Sequence, residues 1–172
     1  MAPLIPAAVL ASVLAVTVAG CADESHPCVT LTAYVPGATS GERMLAMPVA
    51  NADATFALAY THSVTRSPIV ETYRATSDGL VQTAIRFDEH GPGLPATATG
   101  NEQWRTRDGH FEVTMARPLE SVVIRVHGDQ SPRLVVDGRT IDVAQWGNRP
   151  LVLDARPAAQ CRAAIAAPPP PT

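Results

Sequence analysis

A chain of 172 residues with a formal net charge of -3, whose 13 basic residues are all arginine, fits one domain with a modest core. The acidic balance argues against nucleic acid, which wants a basic face, and the lack of lysine excludes Schiff-base and lysine-nucleophile chemistry. Aromatic residues make up 5%, so the core has to come mostly from Val, Leu, Ile and Ala.

Residues 1–20 read as an export signal. Leu4 to Gly20 is apolar and rich in small residues, and it ends in Val18-Ala19-Gly20-Cys21. A short apolar stretch closing on small residues is a targeting segment rather than a folded element. The residues before Cys21 resemble the bacterial lipobox, in which that cysteine receives lipid and becomes the mature N-terminus. No Lys or Arg precedes Cys21, so the positive n-region is reduced to the chain's own amino group. A lipoprotein, an ordinary signal peptide and an uncleaved anchor all fit; the lipoprotein also explains the cysteine count. With lipid on Cys21, the protein would sit on the outer face of a bacterial membrane, in the cell envelope.

Three cysteines in an exported chain leave one over. If Cys21 is lipidated, Cys28 and Cys161 remain as a disulfide pair in an oxidising compartment. The bridge would close a loop spanning nearly the whole folded part, worth about 5 kcal/mol in the chain-entropy account. The alternative is that one of the two is a buried free thiol. Neither lies in a C-x-x-C arrangement, so a metal pair is disfavoured.

Residues 21–27 form a tether. Cys28 to Tyr34 alternates with period two, as a half-buried strand does, and Pro36-Gly37 starts a turn. Met44 to Val49 follows as a strand, with Pro48 marking an edge or bend. Further strands are predicted at Thr55–Tyr60, Ile69–Ala75, Leu80–Phe87, Gln103–Arg107, Phe111–Met115, Ser121–His127, Leu134–Val136, Thr140–Val143 and Leu151–Leu153. Asp108-Gly109 and Asp137-Gly138 are two-residue hairpin signals, and Ser77-Asp78-Gly79 is a turn. No segment carries a sustained helical period with caps. The sum is an all-β fold, a single antiparallel sandwich or barrel-like domain of about 9–11 short strands over residues 28–161. Residues 162–172, with their four final prolines, are expected to be an extended, disordered tail.

The stretch Tyr60 to Tyr73 concentrates polar chemistry between two apolar strands. Pairing His62 opposite Ile69 sets Tyr60 opposite Glu71 and Leu58 opposite Tyr73, all on one face with Phe56. Glu71 then lies on the apolar face within reach of His62, Tyr60 and Tyr73. A carboxylate there must find donors, because an unpaired buried charge costs several kcal/mol. Three readings stay open. The cluster of Tyr60, His62, Ser63, Arg66, Ser67, Glu71 and Tyr73 pins the corner; or Arg66, His62 and Ser63 bind an anion; or the group is catalytic.

The loop Asp88-Glu89-His90-Gly91-Pro92-Gly93-Leu94-Pro95 is the second candidate. It follows a strand and matches G-x-G-x-x-A at Gly91 to Ala96, but Pro92 and Pro95 remove amide donors and block the helix a dinucleotide loop needs. Asp88, Glu89 and His90 have the right chemistry to join His62 and Glu71 around a divalent metal, though no spacing rule is met. No G-x-S-x-G elbow is present, no serine stands out as a nucleophile, and no cofactor motif survives. The chain reads as non-enzymatic.

The runs Phe56-x-Leu58-x-Tyr60-x-His62-Ser63-Val64 and Ser67-Pro68-Ile69-Val70-Glu71-x-Tyr73 resemble a bacterial domain-of-unknown-function family of small exported proteins. Phe87, the His90-Gly91-Pro92-Gly93-Leu94-Pro95 loop and Trp104 fit the same family, and the likeness covers roughly Val29 to Leu153. The resemblance implies genes that lie beside TAXI-type TRAP transporters, an envelope location, and association with carboxylate or amino-acid uptake. It brings no binding or catalytic residues with it. Pro92 departs from the family pattern, and neither the lipobox nor the Cys28/Cys161 pair is a general family feature.

Overall fold

The computed structural model describes residues 26–33, 41–125, 127 and 129–165. The signal segment, Cys21, most of the tether and residues 166–172 lie outside the described residues.

Strands form where apolar and polar residues alternate. In chain order they are β1 (Cys28–Ala33), β2 (Glu42–Pro48), β3 (Thr55–Thr61), β4 (Pro68–Thr76), β5 (Gly79–Phe87), β6 (Gln103–Arg107), β7 (His110–Leu119), β8 (Val122–Arg125), β9 (Arg133–Val136), β10 (Arg139–Asp142) and β11 (Pro150–Arg156). Every strand pairing among the described residues is antiparallel. Two sheets result, one of four strands ordered β2-β1-β11-β8 and one of seven ordered β10-β9-β3-β4-β5-β7-β6. They pack face to face, so the all-β sandwich expected from the alternation is the fold.

The two Asp-Gly dipeptides make the tight hairpins their chemistry demands. Arg107 pairs with His110 and Val136 with Arg139, and both central residues of each turn have positive φ (Asp108 52°, Gly109 79°; Asp137 47°, Gly138 75°). That is the geometry whose twist matches the flanking strands.

Helix enters in two places where none was expected. A 3-10 turn spans Val143–Trp146, with the Asp142 side chain accepting from the Ala144 amide. Helix α1 (Ala158–Ile165) begins after Pro157, whose carbonyl accepts from Gln160 and Cys161. It overrides the expectation that an extended tail starts at residue 162. Alanine has the best helix propensity, and a proline just ahead of a helix loses no bond, so the Ala-rich segment winds. Among the described residues no helix is long and apolar enough to cross a membrane.

The core has two parts. The larger lies between the sheets and includes Val29, Phe56, Leu58, Tyr73, Leu134, Leu151 and Leu153. The smaller gathers Ile69, Ile85, Phe87 and Val113 with Leu94, Trp104, Phe111 and Met115. Along β4, Ile69 belongs to the smaller part and Tyr73 to the larger, with Glu71 between them. The four-stranded sheet therefore covers only part of the inner face of the larger sheet, and Leu94 of the 88–102 segment packs on the rest.

Candidate functional site

The corner between β3 and β4 has a different register from the one drawn from sequence. Thr61 pairs with Pro68, Tyr60 with Ile69, Leu58 with Glu71 and Phe56 with Tyr73. The shift of two residues preserves parity, so Phe56, Leu58, Tyr60, Ile69, Glu71 and Tyr73 do share a face. His62 leaves the strand instead of pairing, and the reason is local. Its amide donates to the Ser67 carbonyl at 2.8 Å, its carbonyl accepts from the Arg66 amide at 3.0 Å, and its Nδ1 accepts from the Val64 and Thr65 amides at 3.3 and 3.1 Å. The side chain thus organises the turn it sits in, and Pro68 takes the first place of β4, where the missing amide costs nothing.

Because Nδ1 accepts, the ring proton sits on Nε2, which donates to the Pro92 carbonyl at 3.1 Å. Gly91 comes so close beside it that a Cβ there would lie 2.8 Å from Thr65 Cγ2 and 3.0 Å from His62 Cε1. The corner and the Gly91-Pro92 loop are therefore one unit.

The remaining corner residues have local partners. Arg66, left-handed at φ 59°, pairs with Asp129 at 2.6 Å and also reaches the Asp129 carbonyl. Ser67 is buried and shares a hydrogen bond with Thr65 at 2.7 Å, whereas Ser63 is exposed. Arg66, His62 and Ser63 do not converge on a shared anion: the first two are spent on Asp129 and the backbone.

The loop residues scatter likewise. Asp88 binds His110 Nδ1; His90 packs over Phe111 with ring centroids 4.5 Å apart and stacks on Trp104; Glu89 and Gly93 are exposed. Among the described residues no three His, Cys, Asp or Glu side chains come together as a metal site, and the grouping of Asp88, Glu89 and His90 with His62 and Glu71 does not form. His62 and Asp88 are drawn away by the bonds just described.

Glu71 is held by tyrosines, not by His62. Its Oε1 accepts from the Tyr60 hydroxyl at 3.1 Å, and its Oε2 accepts from the Tyr73 hydroxyl. Tyr73 lies two residues along the same strand and Tyr60 diagonally across on β3, which places both hydroxyls beside one carboxylate. Burial, then the charge of Glu71 and its hydrogen bond, push both tyrosine hydroxyls well above the ordinary value of 10.0. The phenols keep their protons and act as donors.

Two clefts meet at this carboxylate. One, of about 530 Å³, runs from Glu71 past Gln82, Leu94, Met115 and Arg117. The other, of about 280 Å³, runs along β8 past Leu58, Tyr60 and Pro132 to Arg125. Glu71 and Val122 line both, so together they form a trench between the β8 edge and the 88–102 segment.

A β-bulge at Thr83 shapes the larger cleft. Thr72 pairs with Ala84 but Tyr73 with Gln82, so Thr83 is left over. Inward positions on β5 switch there from Leu80 and Gln82 to Ile85 and Phe87, which seats buried Gln82 beside the trench. Arg117, opposite Gln82 on β7, pairs with Glu102 at 3.1 Å. The Thr99 amide, first, and Arg117 hold the Glu102 carboxyl below its usual value. The bulge and the trench carry no motif in the sequence; Glu71 on an apolar face is the one signal that pointed to them.

The cysteines have come together. Cys28 on β1 and Cys161 on α1 are both buried, both free thiols, and share a hydrogen bond. Burial, then Cys161, pushes the Cys28 thiol up to about 12.

Residues 56–143, just over half of the chain, match the family described as Domain of unknown function (DUF1850). The chain belongs to this family. The DUF1850 match runs from Phe56 on β3 to Val143 after β10, so it takes in the seven-stranded sheet almost whole, β8, the Glu71 cluster and the 88–102 segment. Strands β1, β2 and β11, which cover the larger core, lie outside it. No curated protein and no solved structure matches the chain.

Proposed function

We propose that this DUF1850 protein is an exported, lipid-anchored, non-catalytic binding module of the bacterial cell envelope that serves as an accessory to a TAXI-type TRAP solute transporter. One observation carries the binding role. Glu71 is a half-buried carboxylate fixed by two tyrosine hydroxyls, and it forms the floor where two clefts meet. Small-molecule sites are concave and furnished with a few fixed polar groups on apolar walls. The smaller cleft, with Leu58, Val122, Ile124 and Pro132 beside Glu71, has that character, and the larger one is more polar. Export and anchoring are supported by the apolar Leu4 to Gly20 stretch and by Cys21 after Val18-Ala19-Gly20. The transporter link is supported by the resemblance carried by the Phe56 to Tyr73 runs.

Deleting the gene tests the accessory role. Uptake of the transporter's substrate should fall while transporter abundance is unchanged; unaltered uptake sinks the proposal. Fatty-acid labelling of the wild type and of Cys21→Ala tests the anchor, and a variant that keeps its label refutes lipidation at Cys21.

A further inference from the structure

The chemistry of the trench restricts what it can hold. Tyr60 and Tyr73 supply hydrogen bonds to Glu71 but no positive charge. Among the described residues no arginine or histidine lies within ion-pairing distance of Glu71: Arg117 is joined to Glu102, and Arg66 to Asp129. An ionised carboxylate has about four acceptor positions, and the tyrosines fill two. The floor thus keeps acceptor capacity and a localised negative charge, in a cleft where the low dielectric strengthens any charge that complements it.

We infer that the trench binds a small organic cation bearing N–H donors, a primary ammonium or a guanidinium on an aliphatic body, with Glu71 as its counter-ion. This deepens the binding-module reading and rests on it. A carboxylate ligand placed on Glu71 would meet like charge, which costs several kcal/mol at a desolvated contact. A quaternary ammonium matches the charge but has no N–H for the open acceptor positions. The walls are mixed: Leu58, Val122 and Pro132 line the smaller lobe with Arg125, and Leu94, Met115 and Leu119 line the larger with the Arg117–Glu102 pair. The aliphatic body therefore lies along the apolar stretches beside Glu71. Lobes of about 530 and 280 Å³ fit a small molecule lying across the floor and reaching into the larger lobe. There Gln82 offers an amide to a polar group at the far end of the ligand.

Calorimetry on the full-length chain in detergent, near neutral pH, decides it with five matched probes: pentylammonium, pentylguanidinium, tetramethylammonium, pentanoate and pentanol. The first two should bind and the other three should not. Glu71→Gln should weaken pentylammonium at least tenfold, the worth of one charge-assisted hydrogen bond, while exposed Asp53→Asn leaves it unchanged. Tyr60 and Tyr73 ring resonances of the unaltered protein should shift on saturation, which keeps the test decisive if Glu71→Gln fails to fold. Binding of pentanoate without pentylammonium overturns the cation but leaves a binding module. Binding of a capped lysine peptide without the free amines overturns the small ligand in favour of a protein partner. Amine binding that ignores Glu71→Gln and leaves the tyrosine resonances unmoved puts the site elsewhere and overturns the inference. If no probe binds, both this inference and the binding-module reading fall.

Discussion

The imidazole of His62 donates through Nε2 to the carbonyl of Pro92 and accepts through Nδ1 from two amides of its own turn, so one side chain closes the β3–β4 corner and fastens the 88–102 segment to it. That segment is one wall of the trench, and Glu71 is its floor. Anything that loosens the His62 clasp should be felt at both.

Gly91→Ala is the direct probe. The new methyl group would meet Thr65 Cγ2 and His62 Cε1 inside contact distance, and overpacking of this kind costs roughly 1–3 kcal/mol. Denaturant unfolding should show a lower midpoint with an unchanged slope. An unaltered midpoint would mean that the loop does not bear on His62.

The raised tyrosines make a pH prediction. Tyr60 and Tyr73 hold their protons above the ordinary value of 10.0, so the stability they confer is fully present below pH 10. It erodes above that, where the unfolded chain releases protons and the native one does not, and is gone once pH passes the native values. Ultraviolet titration of the native protein should leave these two phenols unionised at a pH where Tyr34→Phe, which removes the third tyrosine, shows no remaining titration. Tyr73→Phe should cost about 1–3 kcal/mol by leaving Glu71 Oε2 without its donor. Two phenols titrating near 10.0 would contradict the arrangement.

Asp137 does double duty in the β9–β10 turn. It accepts from the Ala50 amide at 2.7 Å and from the Asn51 amide and side chain at 3.1 and 2.7 Å, and Asn51 in turn holds Thr55 at the start of β3. Desolvation alone would raise its carboxyl; the Ala50 and Asn51 donors outweigh it and leave the group below its usual value. The stabilisation is therefore present above the unfolded value near 3.8 and lost as pH falls through the lower native one. Asp137→Ala should cost about 1–2 kcal/mol, combining lost acceptors with a positive φ that alanine tolerates poorly. A variant as stable as the wild type at neutral pH would show these bonds to be idle.

For Cys28 and Cys161 the expected state in an oxidising compartment is a disulfide, formed from the adjacent thiols by transfer of two electrons and two protons to a disulfide-donating oxidant. Mass spectrometry with and without reductant should find the two peptides joined. In the reduced protein, Cys28 should resist thiol reagents until the chain unfolds, since burial and Cys161 hold its thiol near 12. Free peptides from protein purified without reductant would refute the bridge.

Cutting the chain to residues 56–143 should abolish folding. Phe56, Leu58, Tyr73, Leu134 and Val136 would lose the cover of Val29, Leu151 and Leu153, and β8 would lose β11, the strand it pairs with. A cooperative transition from that fragment would show the seven-stranded sheet to be self-sufficient.

Much of this was legible in the residues. Alternation in Thr55 to Tyr60 and the Asp-Gly pairs specified strands and hairpins because both signals are local. Parity placed Glu71 with Tyr60 and Tyr73 despite a register off by two, since side-chain facing depends on odd and even, not on the partner. His62 was misplaced because its turn is built by side-chain-to-amide bonds, which strand periodicity does not register. Helix α1 was missed because eight Ala-rich residues carry propensity without an amphipathic pattern. The trench was illegible: it is made by how far one sheet extends over another, and by a bulge at Thr83 that nothing in the sequence marks.

Strand β1 lies beside β11, with Cys28 opposite Arg156, so the two ends of the domain are neighbours at the centre of the four-stranded sheet. Synthesis delivers β1 and β2 first, then the strands of the seven-stranded sheet with β8 made between β7 and β9, and the strand that joins β1 to β8 last. Until Pro150–Arg156 has emerged, β1 and β2 have no β11 to join and β8 stays unpaired. The inner face of the seven-stranded sheet is therefore covered only once the two ends of the domain have met, and long-range pairing of this kind makes folding slow.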